Sequence, residues 1–380
     1  MDTIRTSLAG ACVALILAIA GCGPGVFDPN TLDPNAADPN TLDPNTTDPN
    51  AVEPNQTDPN AAPPPQGGDQ LPVAPESLAF DNQGNLYVAS EFVGVYRRQA
   101  DGEYVQLISN DDNALDSLDK IRFVNNSLYV FTMTQTNPAV YRYDPSGQLA
   151  AAVFDPNDAR RLGATLAEDV AVAPDGRVYL AMYYEDIFSE EPRVYRYGPD
   201  GEAESAVVLY DEGDIGTVTA LAVDPNGNLY VADPSNIAKF DPDGNLIAVL
   251  AETGDHGLDY PREMTADSAG NLYVWNNVTT DDGTRSSILQ FNPDGEFVAE
   301  ALPLGAADQA GLSNYPSDLL IGPNGQLLIV DLRGDVFEVT SNGQLETYLD
   351  YPQNDNAKTV DRESIEADRE RELKTRDAQQ

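Results

Sequence analysis

One pattern recurs six times between residues 75 and 350. Each copy holds a short apolar run, a tight turn, a run of the Leu-Tyr-Val type, and two further strand-like runs around a second tight turn. The copy at residues 220–250 is the clearest, with the turns Asp-Pro-Asn-Gly and Asp-Pro-Asp-Gly. Short apolar runs bounded by Pro and Gly turns are typical of antiparallel strands. The repeat therefore restricts most of the chain to copies of one β unit.

The spacing of the copies predicts how the units assemble. One apolar position of each first run recurs at intervals of 43 to 55 residues, at Leu78, Ile121, Val170, Leu221, Met264 and Leu319. Repeats of this length form propeller blades. We predict an all-β fold, a six-bladed β-propeller with four antiparallel strands per blade, at residues 71–352. Because every copy contains all of its strands, we expect closure by packing of the first blade against the last, helped by residues 71–73.

The turns of the copies share one composition. Pro commonly occupies the second position and Gly the fourth, as a type I hairpin turn with a following bulge requires. Several of these turns begin with a carboxylate, at Asp81, Asp144, Asp224, Asp241 and Asp267. Such residues resemble calcium loops, but we interpret them as turn-forming residues.

The repeat resembles the NHL-repeat and gluconolactonase-like group of six-bladed propellers over all six copies, and most closely at residues 220–250. In gluconolactonase-like enzymes a Glu, an Asn and an Asp at the starts of innermost strands bind a catalytic divalent metal. The resemblance implies that Glu76 corresponds to this Glu. Glu168 and Asp169 stand where the Asn is expected. The resemblance therefore implies the architecture more strongly than the activity, because propellers carry many unrelated functions.

The first 70 residues predict a tether. Arg5 and the apolar residues 11–20 resemble a secretory signal that is too short to span a bilayer, and the segment ends in Ile19-Ala20-Gly21-Cys22. This ending resembles a bacterial lipobox, which implies a signal peptide at residues 1–21 and a diacylglycerol on Cys22. The alternative is an ordinary signal peptide with an incidental Cys. Asp-Pro-Asn or a close variant then recurs every five residues, which predicts a disordered stalk at residues 22–70.

Charge and location follow from the same residues. Gly23 is compatible with sorting to the outer membrane, so we expect a lipid-anchored protein of the cell envelope, either periplasmic or surface-exposed. The formal net charge of −42 excludes nucleic acid as a natural partner, because duplex binding depends on Lys and Arg. The charged tail at residues 353–380 is predicted to be disordered or an exposed helix.

One face of the predicted propeller carries long and dissimilar loops, and we expect binding there. Each innermost strand begins at this face, so carboxylates surround the channel mouth. The candidate metal ligands, for Ca²⁺, are Glu76, Glu168, Asp169 and Asp318. The alternative is a set of solvated carboxylates partly paired with Lys120 and Arg262. Further candidates for a ligand-binding face are Asp119, Arg262, Glu263, Tyr183, Tyr184, Phe188 and Trp275; Trp275 would stack on a sugar ring or pack between blades.

Some chemistry is excluded by composition. His256 is the only histidine, and a single Cys, already lipidated, remains after signal cleavage. Zinc, copper and haem sites rich in His or Cys are therefore not available. The leading interpretation is a non-enzymatic, membrane-tethered module that binds a protein, a glycan or a small molecule. The alternatives are a calcium-dependent hydrolase of the lactonase or esterase type and a structural envelope lipoprotein.

Overall fold

The computed structural model describes residues 69–91, 93–109, 115, 117–132, 138–155, 157–158, 166–183, 194–208 and 217–351. The predicted signal peptide, Cys22, all but the last two residues of the stalk, and the charged tail lie outside these residues, so they stay predictions. Within the described part of the chain, no helix has the length and apolar character that crossing a bilayer requires.

The described residues form a six-bladed β-propeller, as the repeat predicts. The first three blades contain strands β2 to β13, in chain order Ser77–Phe80, Leu86–Ser90, Gly94–Arg98, Tyr104–Ser109, Leu118–Val124, Ser127–Thr132, Ala139–Tyr143, Leu149–Phe154, Leu166–Val172, Val178–Tyr183, Val194–Tyr197 and Ala203–Val208. Each blade is a four-stranded antiparallel sheet in sequence order. The innermost strand of each blade is therefore the first in sequence.

The last three blades repeat this order. They contain strands β14 to β25, in chain order Ala220–Val223, Leu229–Ala232, Asn236–Phe240, Leu246–Glu252, Tyr260–Ala266, Leu272–Thr280, Gly283–Phe291, Phe297–Leu302, Asp318–Ile321, Leu327–Val330, Val336–Val339 and Leu345–Asp350. A 3₁₀ turn at Asp255–Gly257 and one short helix, α1 at Ala306–Ala310, lie in the connections that follow blades 4 and 5. Both connections belong to the predicted loop-rich face.

The core lies between the blades. Six hydrophobic clusters of buried residues each join two neighbouring blades. One of them, which contains Leu78 and Leu328, joins blade 6 to blade 1. The apolar positions that define the repeat are all buried, with between 0% and 3% of their surface exposed, at Leu78, Ile121, Val170, Leu221, Met264 and Leu319. Burial of these apolar side chains, with those of the clusters around them, is the main favourable contribution to the ring.

A short strand, β1 at Asp69–Gln70, closes the ring. It pairs in parallel with Leu349 and Asp350 of β25, so the last blade gains a fifth strand. Leu71 follows at 2% exposure in the cluster that joins blades 6 and 1. The sequence predicted contact between the first and last blades, but not the strand pairing, since two residues at the end of the stalk carry no strand pattern.

The turns show why the repeat needs an Asp. Asp224 Oδ1 accepts the backbone N–H groups of Asn226 and Asn228, each at 2.9 Å. Its Oδ2 accepts the Asn228 amide at 2.7 Å and the Tyr230 hydroxyl at 3.4 Å. The same bonds recur around Asp81 and Asp267. Every donor is a group of the protein itself, which confirms the interpretation of these carboxylates as turn-forming residues.

Candidate functional site

The centre of the ring is occupied by buried ion pairs. The Lys120 ammonium on β6 lies 2.7 Å from Asp169 Oδ1 on β10 and 2.8 Å from Glu263 Oε2 on β18. Blades 2 and 5 face each other across a six-bladed ring, so the bond to Glu263 crosses the central channel. The lysine and Asp169 side chains are only 5% and 3% exposed. These residues therefore form a plug within the channel and are not a solvated rim.

Backbone irregularities direct these side chains inward. The register of the innermost pair of strands shifts between Leu118 and Lys120, between Ala167 and Asp169, and between Pro261 and Glu263. Asp119, Glu168 and Arg262 are thus the extra residues of three equivalent bulges. A bulge changes the direction in which the next side chain points. The three residues that follow the bulges are the three partners of the first ion-pair group.

A second group lies beside the first. Arg122 donates to both oxygens of Asp318, from Nη1 at 2.9 Å and from Nη2 at 2.7 Å. Ser77 Oγ lies 2.5 Å from Asp318 Oδ2 and accepts the backbone N–H of Ile121 at 3.0 Å. Asp169 Oδ2 accepts the backbone N–H of Leu221 at 2.7 Å. The two groups together connect the innermost strands of all six blades.

The plug holds three carboxylates, Asp169, Glu263 and Asp318, against two cations, Lys120 and Arg122. Burial is the largest cause that raises the pKa of Glu263, to about 8; the nearby Asp169 and Asp318 raise it further, and Lys120 opposes the shift. Burial lowers the pKa of Lys120, but the three carboxylates together outweigh this effect and raise it. With Glu263 protonated, two anions balance two cations. The arrangement is suited to holding the six innermost strands together.

The candidate metal ligands lie at or near this plug. Asp169 and Asp318 are bound to the two cations, while Glu76 and Glu168 are 8% and 6% exposed. No group of three or more His, Cys, Asp or Glu side chains within the described residues is arranged to hold a metal ion. The calcium assignment stays a prediction, and a calcium ion at Asp169 or Asp318 has to displace Lys120 or Arg122.

Arg122 is not among the channel residues predicted from the sequence, although its position on β6 indicates that it points toward the channel. Residues two apart on a strand point to the same face. Lys120 was recognised at the strand start, so the second residue along β6 also points toward the channel. The pairing predicted for Lys120 is confirmed, and it is buried.

Two tyrosines enclose Arg262 on the loop-rich face. The guanidinium carbon lies 4.4 Å from the ring centre of Tyr260 and 4.8 Å from that of Tyr315. Tyr260 begins β18 and Tyr315 precedes β22, so residues from two neighbouring blades meet here. All three residues are half-buried. We call this cluster of Tyr260, Arg262 and Tyr315 the tyrosine–arginine cluster.

Side-chain hydrogen bonds hold the loops around this cluster. Asn276 Oδ1 accepts the backbone N–H groups of Asp259 and Tyr260, at 2.9 and 3.1 Å. Ser286 Oγ lies 2.8 Å from Asn277 Oδ1 and 2.8 Å from Asn314 Oδ1, and its single proton donates to one of the two. These hydrogen bonds therefore hold the loops at residues 253–261, 277–286 and 303–316 to one another or to β19 without a ligand, so little loop entropy is lost on binding.

The remaining candidate residues divide into two sets. Trp275 is fully buried between blades 5 and 6 and donates its indole N–H to Asn277 Oδ1 at 3.0 Å, so it packs between blades. Tyr184, Phe188 and the side chain of Tyr183 lie outside the described residues. His256 is exposed and stacks on Phe297, with 4.3 Å between ring centres.

Comparisons with known proteins agree at the level of the fold. No protein-family model matches this chain, and no curated protein sequence matches it. Similar solved structures include a gluconolactonase from Xanthomonas campestris, 18% identical over 72% of this chain and 93% of that chain with a TM-score of 0.45. An aldose sugar dehydrogenase from Streptomyces coelicolor is 16% identical over 76% and 94%, with a TM-score of 0.46.

A nidogen and laminin complex is 19% identical over 58% of this chain and 77% of the matched chain, with a TM-score of 0.42. The structural neighbours thus include gluconolactonase-like and NHL-repeat propellers, the two groups that the repeat resembles. These similarities are too distant to carry any argument about activity.

Proposed function

We propose that this protein is a binding module, tethered to the cell envelope through Cys22, whose loop-rich face holds its ligand at the tyrosine–arginine cluster. One observation carries the proposal: three channel carboxylates are bound to Lys120 and Arg122, whereas the fixed loops present two aromatic rings and a guanidinium at the face.

The engaged carboxylates argue against catalysis in the channel. A metal at Asp169 or Asp318 has to displace a buried cation. Removing one partner of a buried ion pair costs roughly 3 to 5 kcal/mol, because the remaining charge is left without compensation. The plug is therefore better suited to a structural role than to a catalytic one.

The tyrosine–arginine cluster has the composition of a binding site. Tyr and Arg are enriched among the residues that contribute most to binding energy, since each combines a large planar surface with hydrogen-bond donors. Stacking on arginine keeps each ring in one orientation, so little side-chain entropy remains to be lost on binding. We propose a protein, a glycan or a small molecule that stacks on these rings.

A panel of soluble oligosaccharides and peptides tests the proposal. Tyr260→Ala and Tyr315→Ala should each weaken binding of any ligand found, by roughly tenfold for a change of about 1.4 kcal/mol. Tyr104→Ala is the matched control, since this half-buried tyrosine begins β5 next to the tight turns of the opposite face. Loss of binding in the control with full binding in the other two variants would refute the assignment of the face.

A lactone hydrolysis assay separates the binding module from a calcium-dependent hydrolase. We expect the same low rate with calcium and after chelation. Turnover that requires calcium and disappears in Glu76→Gln would establish the hydrolase instead.

A further inference from the structure

A cation joins neighbouring blades in four places, far from the channel. In blades 1 to 4 the third strand carries a basic residue opposite a tyrosine of the second strand, in the pairs Arg97–Tyr87, Arg142–Tyr129, Arg196–Tyr179 and Lys239–Tyr230. Each basic residue donates to the carbonyl of a proline in the second turn of the next blade, at Pro145, Pro199, Pro242 and Pro293. We call this interaction the inter-blade cation contact.

Lys239 shows what the contact consists of. Its ammonium lies 2.7 Å from the Pro293 carbonyl oxygen, 3.7 Å from Asp224 Oδ2 and 5.0 Å from the ring centre of Tyr230. A carbonyl, a carboxylate and an aromatic face thus receive one cation whose side chain is only 9% exposed. Each of these three groups favours a positive charge.

Blade 5 keeps the partners of this contact but lacks the cation. Gln290 stands opposite Tyr273, where blades 1 to 4 have Arg or Lys. Its amide donates to the Tyr273 hydroxyl at 3.2 Å, and that hydroxyl also lies 3.3 Å from Asp267 Oδ2. Asp267 and Tyr273 repeat Asp224 and Tyr230 of blade 4. Ser341 takes the position that proline holds in the second turns of blades 2 to 5.

A groove of about 600 Å³ lies at this position, between blades 5 and 6 on the face of the tight turns. Its wall includes Tyr273, Gln290, Glu300, Gln326, Ser341 and Asn342. Gln290 is shorter than arginine and neutral. The groove therefore lies at the position of an inter-blade cation contact, but blade 5 supplies no basic side chain to fill it.

We propose that this groove binds a guanidinium or primary ammonium group supplied by a ligand. Tyr273 and the Ser341 turn line the groove and repeat two of the groups that receive Lys239 one blade earlier. The carboxylates in the groove wall are those of Glu300 and Glu338, and Asp267 reaches the site only through its contact with the Tyr273 hydroxyl. The source of the cation is a small molecule or a basic side chain of a partner protein. The site is independent of the loop-rich face, since it lies at the opposite ends of the strands.

Agmatine and butylurea, titrated calorimetrically in 150 mM salt, test the proposal. The two probes have similar chains, but only agmatine carries a guanidinium and an ammonium. We expect saturable one-to-one binding of agmatine and none of butylurea. Equal binding of both probes, or binding of agmatine without saturation, would overturn the proposal, because a chain of charge −42 attracts any cation weakly.

Gln290→Arg supplies the missing cation from the protein itself. It should abolish agmatine binding and raise the melting temperature. Gln106→Arg adds the same charge at an exposed position of β5 and is the control that should bind agmatine as the wild type does. Lys239→Gln should create a second agmatine site between blades 4 and 5. Unchanged binding in Gln290→Arg would refute the groove as the site.

The same titration separates the two sources of the cation. The peptide acetyl-Gly-Arg-Gly-amide should bind at least tenfold more tightly than agmatine if the natural ligand is a partner's side chain, and more weakly if it is a small molecule. In both cases the peptide should compete with agmatine for the groove. A peptide that binds without displacing agmatine would contradict a shared site.

Discussion

Lys120 is the residue on which the channel plug depends most. Its ammonium bonds to carboxylates from two other blades, one of them on the opposite side of the ring. Arg122 neutralises Asp318 two residues further along the same strand. A single innermost strand, β6, therefore supplies both cations of the plug.

Lys120→Met should destabilise the propeller by roughly 3 to 5 kcal/mol, because the Asp169 carboxylate is left buried without its cation. Urea unfolding measures the change. Arg285→Met is the control, since its partner Asp282 is 85% exposed at 4.0 Å. The control should change stability by less than about 1 kcal/mol. Equal effects of the two substitutions would show that Lys120 is not an essential partner of the plug.

Glu263 gives the plug a pH dependence of defined sign. Burial raises the pKa of Glu263 to about 8, above its value in the unfolded chain, so the folded state binds more protons between these two values. The contribution of Glu263 to stability is therefore full at pH 4 and is lost as the pH rises through 8. Glu263→Gln imitates the protonated acid and should remove this part of the pH dependence.

Unfolding free energies of the wild type and Glu263→Gln, measured between pH 5 and 9, test this sign. The wild type should lose stability relative to the variant as the pH increases. A difference that is constant across the range would mean that Glu263 has the same pKa in the folded and unfolded states.

At the scale of elements, the Asp turn recurs because it satisfies its own backbone. Asp224 is 1% exposed and accepts four hydrogen bonds from Asn226, Asn228 and Tyr230. The positive φ angle of 82° at Gly227 then allows the chain to enter β15. The turn therefore sets the register of the two innermost strands of the blade.

Asp224→Ala should destabilise the protein by about 2 kcal/mol or more, since buried donors lose their acceptor. Asp243→Ala changes an exposed turn position of the same blade, and its backbone N–H bond to Asp241 is retained. Thermal unfolding of both variants provides the comparison. A loss in Asp243→Ala as large as that in Asp224→Ala would argue against the carboxylate as the organising group.

The blades could be predicted from the sequence because their signals are local. Every strand lies between turn residues, so Leu78 and its equivalents identify six copies without any knowledge of contacts. The pairing of β1 with β25 joins residues 69–70 to the end of the ring, and no local pattern encodes a parallel pair of two residues. The role of Arg122 depends on Asp318 in another blade, and the significance of Gln290 appears only by comparison with the basic residues at the same position in blades 1 to 4. The sequence therefore predicted only the part of the candidate site that lies at the start of an innermost strand, which is Arg262.

At the scale of the whole molecule, the tether and the propeller are proposed to be separate units. We propose that the repeated Pro residues prevent a helix or a sheet ladder in the stalk before β1, so that this part of the stalk shares no core with the blades. The formal net charge of −42 repels anionic lipid headgroups. Membrane attachment should therefore depend on the acyl chains at Cys22.

Cys22→Ala should release the protein into the soluble fraction with its fold intact. Fractionation of cells and circular dichroism of the released protein measure the two parts of this expectation. A variant that remains in the membrane pellet would contradict the lipid anchor.

The central claim is that three channel carboxylates, Asp169, Glu263 and Asp318, are already bound to cations of the protein, so that the ring supports binding and not metal chemistry. Thermal unfolding in calcium chloride and in sodium chloride of equal ionic strength tests this claim most directly. We predict equal shifts of the melting temperature in the two salts, because calcium then acts only by screening an acidic chain. A larger shift in calcium that disappears in Glu76→Gln would contradict the claim and establish a metal site at the mouth.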